Sequence, residues 1–134
     1  MTQIRISEAA TLLGVSDDTV RRWVDAGSLP ASADASGRSV VDGADLAAFA
    51  VERAKGPQDP TAGHSSARNR FAGLVTAITA DTVMAQVELQ CGPFRVVSLM
   101  SSEAVRALGL EVGSRASAVV KATTVVVETP AGPR

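Results

Sequence analysis

Hydrophobic positions in the first third of the chain recur every three or four residues, the period of an amphipathic helix. The first predicted helix takes Ser7 as its N-cap, ends at Gly14, and buries Ala9, Ala10, Leu12 and Leu13. A second helix follows Ser16 as its cap and runs to about residue 26. Its apolar residues fall at i, i+3 and i+4, and are Val20, Trp23 and Val24.

The pattern changes after Pro30, where a polar stretch containing Gly37 and Arg38 leads into Val40 and Val41. This arrangement predicts a β-wing. A third helix is expected at about 44–53, with Asp42 as its cap and with buried Leu46, Ala47, Phe49 and Ala50.

From residue 70 onward the sequence is strand-like, and 83–89 alternates apolar and polar residues as a half-buried strand does. The expected strands are 70–78, 83–89, 94–99, 117–121 and 124–128. A short helix, 103–108, follows the third strand, capped by Ser101 or Ser102 and closed by Gly109. Five short strands with one helix after the third fit an OB-like barrel. The predicted class is therefore α+β, with an N-terminal winged helix-turn-helix and a C-terminal OB-like β-barrel.

A segment rich in Gly, Pro and small polar residues, 55–65, separates the two patterns and is predicted to be a linker. The expected domains are thus 1–54 and 66–129, and the tail after residue 129 is expected to fray. The cores must be small, because only 3% of the 134 residues are aromatic and none is Tyr. Partner subunits would add stability to such cores.

Composition also bounds the possible function. The single cysteine, Cys91, suits a reducing cytoplasm, and we expect no membrane segment and no signal peptide. The only histidine, His64, falls in the linker, and the sequence shows no zinc-binding cluster and no phosphate loop. We therefore expect that the protein is not an enzyme.

The charge is divided unevenly along the chain. Residues 1–55 carry six Lys or Arg against eight Asp or Glu, whereas residues 64–134 carry seven against five. The acidic N-terminal half counts against strong non-specific DNA affinity, which depends on neutralising phosphates. Any DNA binding must then come from a few well-placed arginines and from a dimer.

The N-terminal unit resembles the winged helix-turn-helix of the MerR and excisionase group. The resemblance is carried by Ser7, Gly14, Ser16, Thr19, Arg21, Arg22, Trp23, Gly27, Leu29 and Pro30 at matching spacing. It implies that the second helix enters the major groove of DNA while the wing touches the backbone. Arg22 faces away from the predicted core, and the candidate DNA contacts are Ser16, Thr19, Arg21, Arg22 and Arg38. The alternative for the arginine pair is a solvated helix face, and Trp23 is expected to pack in the core.

Two short segments of the C-terminal unit hold the groups that a tetrahedral oxyanion needs. Ser66-Ala67-Arg68-Asn69 and Val120-Lys121-Ala122-Thr123 supply hydroxyls, backbone N–H groups and two cations. No Asp or Glu occurs in 66–80 or 114–127, as an acceptor-only dianion requires. Taken singly, Lys121 could be a surface lysine at a strand end, and the serine segment could be linker.

The order of these segments around Ser101, Val105, Gly109 and Gly113 resembles the Mop (molbindin, TOBE-like) domain. The resemblance implies that Ser66, Ala67, Arg68, Ser101, Lys121 and Ala122 line molybdate or tungstate sites between subunits. It further implies a homo-oligomer, a dimer or a hexamer, built by the C-terminal domain. Ser101 replaces the Thr common in that family, and Ala104 replaces a common Ser.

Together the two resemblances predict a cytoplasmic regulator of transcription that binds DNA and responds to molybdate or tungstate. The alternative is a molybdate storage or buffering protein whose N-terminal unit serves as an interaction module. The acidic N-terminal half favours that alternative.

Overall fold

The computed structural model describes residues 2–54 and 65–130, and the chain divides into two compact units, Met1–Lys55 and Gly56–Arg134. Most of the predicted linker, together with His64 and residues 131–134, lies outside the described residues. Each unit has its own hydrophobic core. No helix within the described residues is both long enough and apolar enough to cross a membrane.

The N-terminal unit is a winged helix-turn-helix, as the hydrophobic pattern predicts. Its elements are β1 (Gln3–Arg5), α1 (Ile6–Leu13), α2 (Asp17–Asp25), β2 (Ser32–Ala33), β3 (Ser39–Asp42) and α3 (Gly43–Arg53). The strands form an antiparallel sheet in the order β1-β3-β2. The β2–β3 hairpin is the expected wing, and Gly37 takes the positive φ of 81° that its turn requires.

Helix α1 differs from the prediction at its start and on its buried face. The helix begins at Ile6, and Arg5 occupies the cap position without a side-chain cap, so the assignment of Ser7 as N-cap was wrong. Burial follows the i, i+3, i+4 series from Ile6 through Ala9 and Ala10. Leu12 lies off that stripe and is 62% exposed, so its predicted burial was also wrong.

The core of this unit joins α2 to α3. Val20 is fully buried, and the Trp23 ring lies 4.9 Å from the Phe49 ring, centroid to centroid. The guanidinium of Arg53 lies over the Trp23 ring, 4.6 Å from its centroid. The predicted core role of Trp23 is therefore confirmed, whereas Ala47 is exposed on α3.

The C-terminal unit is a curled antiparallel half-barrel of the OB-like class. Its elements are β4 (Asn69–Ala80), β5 (Met84–Cys91), β6 (Phe94–Ser101), α4 (Ser102–Leu108), β7 (Arg115–Val120) and a 3₁₀ helix (Ala122–Thr124). The strand order is β6-β5-β4-β7. The fifth strand expected at 124–128 is not formed, and Val126 and Val127 are 82% and 83% exposed. A strand needs a hydrogen-bonding neighbour, and this segment pairs with none in the described part of the chain.

Strand β4 changes partner in its middle. Residues 69–74 pair with β7, and residues 74–80 pair with β5 across a register shift between Val75 and Ala77. At Gly73 the backbones approach so closely that a Cβ atom would lie 2.3 Å from the Gln90 carbonyl oxygen. Glycine is therefore required there by space, not by its backbone dihedral angles.

We expect Gly73→Ala to destabilise the C-terminal unit by about 1–3 kcal/mol, because the added methyl group forces β4 and β5 apart. The control is Thr79→Ala, at an exposed position of the same strand, which should cost less than about 1 kcal/mol. Urea unfolding of both variants gives the comparison. Equal stability of the two variants would show that the sheet yields at Gly73 without cost.

Candidate functional site

The pairing of β4 with β7 brings the two predicted oxyanion segments to the same end of the sheet. Asn69 stands opposite Val120, so the residues just before β4 lie beside those just after β7. The side-chain amide of Asn69 donates to the Val120 carbonyl oxygen at 3.1 Å and ties the two chain segments together. Five predicted site residues therefore share one end of the sheet: Ser66, Ala67, Arg68, Lys121 and Ala122.

The groups at this end of the sheet are donors. Ser66, Arg68 and Lys121 are exposed, so the hydroxyl and both cations are open to solvent. In the 3₁₀ helix, Thr124 N–H donates to the Lys121 carbonyl at 3.0 Å. The Ala122 N–H stands at the start of this helix and makes no hydrogen bond within it. Ala67 N–H donates to Ser65 Oγ at 3.1 Å and would have to exchange that bond for one to a ligand. The set fits an acceptor-only anion.

Ser101, the sixth predicted residue, does not join the other five. It pairs with Met84, and so lies beyond the far end of β4. Twelve residues of β4 separate the two ends, roughly 36 Å along an extended strand. Ser101 Oγ accepts from Ala104 N–H at 3.0 Å, which leaves its own proton free to donate. One copy of the chain therefore holds two parts of the predicted set at opposite ends of its sheet.

Ser102, which the sequence marked only as a possible helix cap, and Asp81, which it did not mark, hold Ser101 in place. Ser102 is 4% exposed, and its hydroxyl donates to the Asp81 carbonyl at 2.8 Å. The Asp81 carboxylate in turn accepts from the N–H groups of Val83 and Met84, both at 2.8 Å. These backbone hydrogen bonds, with Met84's the larger effect, lower the pKa of Asp81. The signal available in the sequence was an Asp at the start of a tight turn.

The DNA-contact candidates fall into two groups. Ser16 caps α2, its hydroxyl lies 2.9 Å from the Thr19 hydroxyl, and Arg22 Nη2 donates to that Thr19 oxygen at 3.1 Å. These three side chains form one hydrogen-bonded row. Arg21 and Arg38 instead line a shared concavity, which does not include Arg22.

The described residues contain no cluster of side chains that could bind a metal ion. Within 2–54 and 65–130, no three His, Cys, Asp or Glu side chains lie close enough to hold a metal ion. The Cys91 thiol is buried and donates to the Phe71 carbonyl at 3.4 Å. Burial raises the pKa of this thiol, which keeps it protonated and weakly nucleophilic.

The half-barrel leaves a large apolar surface uncovered. Its concave side holds a cavity of about 460 Å³, lined by residues that include Val87, Leu89, Val96 and Leu110. Other large hydrophobic side chains of this unit are also exposed, including Leu74 and Phe94. Exposed apolar surface of this extent is typical of a unit that another chain covers.

Two family models match the chain, one for each unit. The model of the TOBE domain matches residues 65–127, and the model of a helix-turn-helix domain matches residues 4–54. The first match contains all the predicted oxyanion-binding residues, and the second contains all the predicted DNA contacts.

Relatives of the C-terminal unit have molybdenum in their names. A probable molybdenum-pterin-binding protein of Haemophilus influenzae is 44% identical over 63 residues, which is 46% of this chain and 91% of that protein. The molybdenum transport protein ModE of Herbaspirillum seropedicae is 39% identical over 66 residues, 48% of this chain but 24% of that protein. The chain thus matches about a quarter of the length of ModE.

A solved structure is also similar. It is the cytoplasmic molybdate-binding protein ModG with molybdate bound, at 38% sequence identity and a TM-score of 0.50. The similarity covers 54% of this chain and 52% of the ModG chain.

Proposed function

Because the chain belongs to the TOBE-domain family of molybdenum-binding proteins and carries a helix-turn-helix domain as well, we propose that it is a cytoplasmic DNA-binding regulator that responds to molybdate or tungstate. The observation that carries the proposal is the pairing of Asn69 with Val120. That pairing places two cations, a hydroxyl and backbone N–H groups at one end of the C-terminal sheet. The same chain also carries the helix-turn-helix domain.

The proposed anion site offers hydrogen-bond donors and positive charge. Molybdate and tungstate are dianions that carry no proton at neutral pH, so they accept hydrogen bonds and donate none. Arg68 and Lys121 offset the charge, while Ser66 and the backbone at Ala67 and Ala122 supply short donors. The stretches 66–80 and 114–127 hold no carboxylate that would repel the ligand.

The site is completed by a second copy of the chain. Ser101 is remote from the other five residues within one copy, so it joins them only if a partner subunit supplies it. The exposed apolar surface of the half-barrel supports such an assembly, a dimer or a hexamer. An anion held between subunits favours the arrangement that binds it best, and can thereby change how two DNA-reading helices are presented.

A storage or buffering role is the second candidate. It is favoured by the acidic balance of residues 1–55, where eight carboxylates oppose six cations. In that case the N-terminal unit would be an interaction module. Selection of binding sites from a pool of random duplexes, with and without molybdate, separates the two functions. Recovery of a defined site supports the regulator, and failure to enrich any duplex supports storage.

Replacing Lys121 by Ala should lower molybdate affinity about tenfold or more, because a charge-assisted bond contributes about 1.5–3 kcal/mol. Titration calorimetry with molybdate, tungstate, sulfate and phosphate measures this directly. Melting temperatures should rise with molybdate in the wild type and rise less in the variant. Sulfate has the same charge and shape with shorter bonds, so it should bind weakly.

Arg115→Ala is the matched control for Lys121→Ala, since it removes one exposed cation from the start of the same strand β7. It should leave the affinity for molybdate unchanged. If both variants bind like the wild type, or if sulfate and molybdate stabilise equally, Lys121 is a surface lysine and the sensor proposal is wrong.

The protein should be an oligomer held by its C-terminal unit, and Val127→Asp should shift it toward monomer, because Val127 is 83% exposed in a single chain. Val51→Asp is the control, at a 78% exposed valine of the N-terminal unit. Light scattering after size exclusion gives the mass. A monomeric wild type at micromolar concentration would rule out a site between subunits.

Replacing Arg22 by Ala should weaken binding to a selected DNA site by about 1–3 kcal/mol while leaving anion binding intact. Arg22 extends the Ser16–Thr19 row on α2, where a guanidinium can meet a base edge or a phosphate. Fluorescence anisotropy at low salt gives the affinity. Unchanged binding would exclude Arg22 as a contact.

A further inference from the structure

A concavity of about 400 Å³ on the N-terminal unit gathers three arginines from separate elements. Arg5 comes from the end of β1, Arg21 from α2, and Arg38 from the position just before β3. We call this concavity the arginine pocket. Arg5 pairs with Val40 across the sheet, which places Arg5 beside Ser39 at the start of β3.

The pocket is locally positive although the unit as a whole is acidic. Three arginines line it against a single acidic residue, Asp25. Arg21 also meets Asp18, but at 3.6 Å, and the Asp18 side chain is 91% exposed. An ion pair of that kind contributes little and opens readily. Among the described residues, Arg5 and Arg38 make no salt bridge.

Apart from Asp25, the polar side chains that line the pocket can donate hydrogen bonds to a phosphate. Each guanidinium presents several N–H groups in a planar fork and accepts no hydrogen bond. The hydroxyls of Ser7 and Ser39 also line the pocket and can donate. Phosphate oxygens accept hydrogen bonds from such groups, and an arginine that donates two hydrogen bonds to one phosphate fixes its orientation.

The pocket also separates two neighbouring arginines of α2. Successive residues of a helix point about 100° apart, so Arg21 and Arg22 face different surroundings. Arg22 donates to the Thr19 hydroxyl, whereas Arg21 lines the pocket together with residues of the wing and of β1. One helix therefore presents one arginine to the hydroxyl row and another to the pocket.

We propose that the arginine pocket binds one phosphate of the DNA backbone, and that Arg5 is a DNA contact together with Arg21 and Arg38. This inference rests on the proposed DNA-binding function. In this proposal Arg5, Arg21 and Arg38 contribute affinity that does not depend on the base sequence. Discrimination between bases comes from Arg22. It also explains how an acidic unit can bind a polyanion, since the cations are concentrated where the phosphate lies.

The test is Arg5→Ala in the full chain, measured by anisotropy over a series of salt concentrations. Two duplexes are used, a selected site and an unrelated sequence. Affinity should fall about tenfold on both, and the slope of log K against log salt should become shallower by about 1. Arg5→Lys, which keeps the charge but not the fork, should lose less. The melting temperature should be unchanged, because Arg5 is exposed.

Arg106→Ala, which removes an exposed cation of α4, is the control and should change neither affinity nor slope. If the wild type binds DNA and Arg5→Ala keeps its affinity and slope, the pocket proposal is overturned while the regulator proposal stands. A loss of affinity for the selected site alone would also overturn the pocket proposal, because a residue that contacts a base, not a phosphate, produces that result. Absence of wild-type binding to any duplex overturns both proposals.

Discussion

Strand β4 holds the C-terminal unit together because its two halves hydrogen-bond to different neighbours. Its first half pairs with β7 and its second with β5, and the change of partner coincides with a register shift after Val75. A bulge of this kind bends a strand and increases its twist. Gly73 permits the close approach of the Gln90 backbone at the same place. The curl of the half-barrel follows from this one bent strand.

The same strand separates the functional groups. Asn69, at one end, brings the serine and lysine segments together, while Ser101 lies past the other end. Among the described residues, no further strand pairs with the edge strands β6 and β7, and Val126 and Val127 after β7 are exposed. In our proposal a single copy is therefore incomplete as an anion site. Association of subunits completes that site, which couples ligand binding to assembly.

In the N-terminal unit, the position of charges matters more than their sum. The acidic balance of residues 1–55 suggested weak attraction to DNA. The fold nevertheless collects Arg5, Arg21 and Arg38 around one concavity and keeps Arg22 on a separate row. The carboxylates of Asp17 and Asp18 lie in the first turn of α2, where their charge interacts favourably with the helix dipole. A net charge therefore describes this unit poorly, since a phosphate responds to the groups nearest to it.

Local patterns determined the helices and turns: the hydrophobic period and Ser16 predicted α2, and the order of elements predicted both fold types. These features depend on residues within a few positions of each other. The burial of Ile6 in place of Leu12, and the missing pairing of 124–128, depend on which surface the rest of the chain covers. Tertiary structure likewise decided that Arg68 and Lys121 lie at one end of the sheet and that Arg5 and Arg21 line one concavity. Strand register and helix packing join residues far apart in sequence, and no local period specifies those neighbours.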